Sequence, residues 1–140
     1  MDEIKAHREL RIRRLLIALA VIAAGLTLRL TGYEIGLPYV LVKYGGSLLW
    51  GMMVFWVVAI VLPGQSVIRI SLVAGIVALL TEFSRLYQTP WLDQFRLQLV
   101  GALLLGRIFS GFNILAYLAE IGLAALVERR IIEGRRSLKA

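Results

Sequence analysis

From Tyr44 to Leu62 the chain runs for about one bilayer thickness without a single charged side chain. A helix rising 1.5 Å per residue carries such a block across the roughly 30 Å hydrocarbon core, and no soluble fold of 140 residues has an interior to hide several blocks of this kind. Several are present: Leu15 to Leu30, Val67 to Leu86, the short LQLVGALLLG, and Ile114 to Val127. The hydrophobic fraction of 59% is therefore the signature of a polytopic, all-α transmembrane bundle, not of a large soluble core.

The breaks between blocks have recognisable chemistry. Thr31-Gly32 and the connection TGYEIGLPYVLVK, with Glu34 and Pro38, suit an interfacial loop or short surface helix. Pro63-Gly64 interrupts the chain sharply. YQTPWLDQFR is an irregular aromatic and charged loop, and FSGFN is a further breaker after Arg107. Small residues four apart, Ser47 with Gly51 and Ser71 with Gly75, are expected to let helices approach closely.

Charge sets the expected topology. Most of the net +7 sits at the two ends, in Lys5, Arg8, Arg11, Arg13 and Arg14 and in Arg129, Arg130, Arg135, Arg136 and Lys139. In a soluble chain such an excess would suggest nucleic acid. Here it flanks apolar spans, so it reads as cytoplasmic anchoring of both termini, with contact to anionic lipid as the lesser alternative, and no nucleic-acid partner is expected. An even number of crossings satisfies that rule. The expectation is four crossings plus one re-entrant or tilted segment, turning at about Arg107 to Asn113; five full spans with an outward tail is the rival. The chain divides into a cytoplasmic basic segment (1–14), a membrane bundle (15–127) and a basic tail (128–140), forming a single transmembrane domain. A cleavable signal peptide is not expected. The resulting localisation is a bacterial inner membrane, multi-pass, with the Trp91–Asp93 loop outside.

Composition also narrows the chemistry. There is no cysteine, and the one histidine, His7, lies in the basic amino-terminal segment. Thiol chemistry, histidine triads and multi-histidine metal sites are excluded, no cofactor is expected, and no catalytic residue is assigned. Ionisable groups at membrane depth then become the candidates. Glu82 and Arg85 are three apart and share a helical face, as an ion pair at the outer end of the third span or as part of a cationic cavity with Arg96. Trp91 fits an interfacial anchor, and Asp93 with Arg96 fits a helix amino-terminal cap and its neighbour. Asn113, Tyr117 and Glu120 fall on one face of the last helix, near Arg107, and are expected either to meet Glu82 or to seal helix contacts. Glu82, Arg85, Trp91, Asp93, Arg96, Asn113 and Tyr117 form the candidate ligand site.

The run ALLTEFSRLYQTPWLDQFRLQLVGALLLGRIFSGFNILAYLAEIG, with KYGGSLLWGMMVF before it, resembles a small bacterial membrane-protein family named only as a domain of unknown function, itself similar to the VanZ-like group. The matching positions are Glu82, Phe83, Ser84, Leu86, Tyr87, Pro90, Trp91, Leu92, Asp93, Arg96, Gly101 and Gly106. Three positions depart from the pattern: Arg85 stands where glutamine is expected, Asn113 where aspartate is common, and Glu120 near an expected glycine. The resemblance implies an association with low-level resistance to teicoplanin-type glycopeptides and no assigned activity. Together with the polar residues it leads to the expectation of a non-enzymatic protein binding an envelope lipid or headgroup at an outward-facing polar pocket. The alternatives are an accessory subunit of a larger membrane complex, or a small proton-coupled transporter working as a dimer with Glu82 as its coupling carboxylate. Membrane lipids, a homo-oligomer or a larger complex are the partners these readings name.

Overall fold

The computed structural model describes residues 2–137, all of whose regular structure is helical. The helices are α1 (Asp2–Thr31), α2 (Tyr39–Val61), α3 (Val67–Ser84), α4 (Pro90–Leu97), α5 (Leu99–Leu104) and α6 (Gly111–Ser137). Four of them, α1, α2, α3 and α6, are long and apolar enough to cross a membrane. The protein is thus a four-span helical membrane bundle with an irregular segment between its third and fourth spans, not five spans.

Several boundaries differ from the sequence expectation for local reasons. The basic amino-terminal segment is the first part of α1, since nothing between Asp2 and Leu15 breaks a helix. The second span begins at Tyr39 rather than Tyr44, because Pro38 occupies the position before the first turn and the chain runs helically from there. The Lys43 ammonium stays near the surface over the rings of Tyr39 and Tyr44, 5.5 and 5.4 Å from their centroids. Gly64, at φ +82°, makes the sharp turn after α2, and the Ser66 side chain then caps α3 by accepting from the Arg69 amide at 3.3 Å. On α4 the cap position belongs to Thr89, with Pro90 following it, so Asp93 lies within the first turn instead of capping it. Side chains of Arg135 and Arg136, and all of Lys139, lie outside the described residues.

Packing follows a four-residue repeat. α3 buries Ile70, Ala74, Ala78 and Glu82, while Ile68, Leu72, Ile76 and Leu80 point away from the bundle. The outward row has the composition of a lipid-facing surface, and the inward row is small enough for close helix approach. This corrects the expected Ser71–Gly75 pair: a side chain at Gly75 would meet open space, and Ala74 and Ala78 make the contact. Gly51 does sit in a tight contact, described below. On α6 the buried row is Asn113, Tyr117, Glu120, Ile121, Ala124 and Glu128. Phe55 and Trp56 of α2, edge to face at 5.3 Å, fill the space between these two rows.

The two ends of the bundle differ. At one end Arg14 of α1, 2% exposed, pairs with Glu128 of α6 at 2.6 Å and donates to the Ala59 carbonyl of α2 at 2.6 Å. Both termini of the described chain therefore leave from the same end. Of the 16 Lys and Arg residues, Arg29, Lys43, Arg85, Arg96 and Arg107 belong to the opposite end.

Candidate functional site

The opposite end is built around a segment with no helix of its own. Residues 105–110 join α5 to α6, and their backbone groups lack helical partners and need others. Glu82 and Arg85 supply them. Arg85 donates to the carbonyls of Leu105 (2.6 Å) and Ile108 (3.3 Å), while Glu82 Oε1 accepts from the Ser110 amide at 2.7 Å. The two side chains pair at 2.6 Å.

α6 closes the cluster. Asn113 Nδ2 donates to Glu82 Oε1 at 3.3 Å, and the Tyr117 hydroxyl donates to Oε2 at 3.1 Å while accepting from Arg85 at 3.0 Å. Spacing alone places these groups on facing helix rows, and the structure brings Glu82, Arg85, Asn113 and Tyr117 into one buried network. Gly106, at φ +67°, is needed there twice over: its conformation is left-handed, and a Cβ would lie 2.7 Å from the Arg85 guanidinium carbon.

Arg96 does not join that network. Its guanidinium donates to the carbonyls of Ser84 (2.5 Å) and Tyr87 (2.9 Å) and pairs with Asp93 at 3.2 Å, so it caps the carboxyl end of α3. Arg107 donates to the carbonyls of Arg96 (3.2 Å) and Leu97 (3.3 Å) and does the same for α4. Trp91 is 69% exposed and apart from the cluster.

Beside the network lies a cavity of about 630 Å³, walled by α1, α2, α5, the 105–110 segment and α6. Arg29, Lys43, Arg85 and Arg107 contribute to its lining, and among the described residues no aspartate or glutamate does. The rest is largely apolar, from Val21, Ile22 and Leu26 to Val100 and Leu103. Arg29 and Lys43 have no ion-pair partner among the described residues. Two buried polar atoms of the wall are also unmatched: Trp50 Nε1, a donor, and Asn113 Oδ1, an acceptor. The Trp50 ring lies against that of Tyr117, 4.8 Å between centroids. No three His, Cys, Asp or Glu side chains come together among the described residues as a metal ion would require.

Sequence reasoning missed Arg29, Lys43 and Trp50 as site residues. Their spans are legible, but the cavity needs five separate segments to converge. It also missed the Arg14–Glu128 pair, treating both residues as parts of charged ends. The available signal was the row itself: Glu128 continues Asn113, Tyr117, Glu120 and Ala124 at helical spacing.

A family described as protein of unknown function (DUF2809) has a model that matches residues 36–121. The chain belongs to that family. The DUF2809 match spans α2 to α5 and the first part of α6, and so contains Glu82, Arg85, Asn113, Tyr117 and the wall residues Lys43 and Trp50. Outside it fall α1 and Glu128, hence both halves of the Arg14–Glu128 clamp and the wall residue Arg29. No solved structure matches this DUF2809 chain.

Proposed function

We propose that this protein is a non-enzymatic membrane receptor for an anionic phospholipid, whose headgroup sits among Arg29, Lys43 and Arg107 and whose acyl chain lies along the apolar walls of α1 and α2. The observation that carries the reading is the cavity's charge: cations line it, no carboxylate of the described residues does, and its unmatched Trp50 donor and Asn113 acceptor await a polar ligand. Ammonium and guanidinium groups suit phosphate, and a volume of about 630 Å³ lies in the range of small-molecule sites. With the arginine-rich ends in the cytoplasm by the positive-inside rule, the cavity faces outward in a bacterial inner membrane. An envelope lipid is then the natural ligand, and the resemblance to the VanZ-like group fits the same reading.

A coupling role for Glu82 is less well supported, because both its oxygens are engaged by Arg85, Ser110, Asn113 and Tyr117. Those bonds hold the 105–110 segment, which is a structural task.

The test is lipid binding by the purified protein in neutral detergent, comparing phosphatidylglycerol with phosphatidylcholine. Phosphatidylglycerol is expected to bind more tightly, and Arg29→Ala with Lys43→Ala to weaken it at least about tenfold. Equal affinity for both lipids, or full affinity in the double variant, overturns the reading.

A further inference from the structure

Three carboxylates are fully buried among the described residues, and two of them, Glu82 and Glu128, face an arginine. Glu120 faces none. Its exposure is 0%, and its oxygens meet no side-chain donor among the described residues, only the Gly51 backbone amide of α2 at poor hydrogen-bond geometry. It lies about 14 Å along α6 from Gly111, close to the middle of a roughly 30 Å apolar layer. The carboxyl occupies the place a side chain at Gly51 would fill, so α2 covers it with backbone alone.

The charged groups on the elements packed around it are all committed or distant. α2 has no charge between Tyr44 and Val61. On α3, Glu82 and Arg85 are joined to each other and to Tyr117, one turn away on α6, and Arg69 is exposed at the far end beside Gln65. On α6 itself, Glu128 is two turns further and is held by Arg14 of α1. An ionised carboxylate with no counter-charge and only that backbone amide beside it is strongly disfavoured in such a place, whereas a neutral acid is tolerated.

We infer that Glu120 is a proton-binding site: the side chain is a neutral acid while α2 and α6 are packed, and it releases its proton to water when that seam parts. The seam is tied to the cavity. Trp50 precedes Gly51 on α2, Tyr117 lies one turn before Glu120 on α6, the two rings touch, and both line the cavity. A ligand that displaces either ring moves the two helices that enclose Glu120. This coupling rests on the lipid reading above; the proton site itself does not.

Infrared spectroscopy of the protein in dodecyl maltoside, a detergent with no carbonyl of its own, at neutral pH tests the site. The wild type is expected to show the C=O band of a protonated carboxylic acid, shifting in D2O and missing in Glu120→Gln, a neutral and nearly isosteric replacement. Absence of the band from the wild type, or its persistence in Glu120→Gln, overturns the proposal. Adding phosphatidylglycerol in weak buffer with a pH dye tests the coupling. About one proton released per bound lipid is expected from the wild type and none from Glu120→Gln. Lipid binding with equal proton release in both proteins removes the coupling. Absence of lipid binding would refute the receptor reading, and the infrared band would still decide Glu120.

Discussion

The Glu120 carboxyl on α6 fills the space that a side chain at Gly51 on α2 would occupy, so the two helices meet there through an acid and a bare backbone. Gly51→Ala places a Cβ in overlap with Glu120 Oε2 and 3.1 Å from its Cβ. Overpacking of this kind costs about 1–3 kcal/mol. The expected result is a loss of that size in denaturant unfolding in detergent. Adding Glu120→Ala removes the obstructing group, so the double variant should be more stable than the two single losses added together predict. Simple additivity would show that the residues are not in contact.

The Arg14–Glu128 pair makes a second prediction, at the other end of the bundle. Arg14→Met alone leaves a buried carboxylate without its cation, which costs about 3–5 kcal/mol. Replacing both, as Arg14→Met with Glu128→Leu, removes the two charges together and should recover most of the loss. Thermal unfolding in detergent separates these outcomes. If the double variant is no more stable than the single one, the pair is not the element that joins α1 to α6.

Helical periodicity made much of this legible. The uncharged run after Tyr44 announces a span, and the spacing of Asn113, Tyr117 and Glu120 announces a buried face. The three-residue step from Glu82 to Arg85 announces a pair. Their task was not legible, because it depends on the backbone of residues 105–110, which comes from a distant part of the chain. Arg96 looked like a site residue for the same reason: a guanidinium capping the carbonyls of Ser84 and Tyr87 has the same sequence appearance as one awaiting a ligand. The cavity was invisible for a different reason. Its cations, Arg29, Lys43, Arg85 and Arg107, come from four different segments, and no local pattern relates them.

Trp50 should contribute to lipid binding through its ring nitrogen. Trp50→Phe keeps an aromatic ring near Tyr117 and removes the unmatched donor. A hydrogen bond to a charged group contributes about 1.5–3 kcal/mol, so phosphatidylglycerol affinity should fall at least about tenfold with little change in unfolding. Unchanged affinity would place the headgroup away from Trp50.

Proton release on binding fixes the sign of a pH effect. If the packed seam holds a proton that the lipid-bound form lacks, raising the pH favours binding. Phosphatidylglycerol, whose phosphate keeps one charge near neutrality, should bind more tightly as pH rises, by at most about tenfold per unit. Glu120→Gln should bind with a flat profile. A wild-type profile that is flat or falls with pH contradicts the coupling.

Glu82→Gln distinguishes a structural carboxylate from a transport carboxylate. Glutamine keeps an acceptor for the Ser110 amide but loses the charge facing Arg85, which is 9% exposed and has no other acidic partner among the described residues. Leaving that guanidinium buried without its counter-charge should cost about 3–5 kcal/mol and loosen the carbonyls of Leu105 and Ile108. Thermal unfolding should therefore show a large loss, and limited proteolysis should find new cleavage within residues 105–110. Glu120→Gln, by contrast, exchanges one neutral group for another and should unfold within about 1 kcal/mol of the wild type. Were Glu82 a coupling group instead, the order would reverse: Glu82→Gln would fold normally and keep an ordered 105–110 segment, and the network described for it would not be what holds the segment in place.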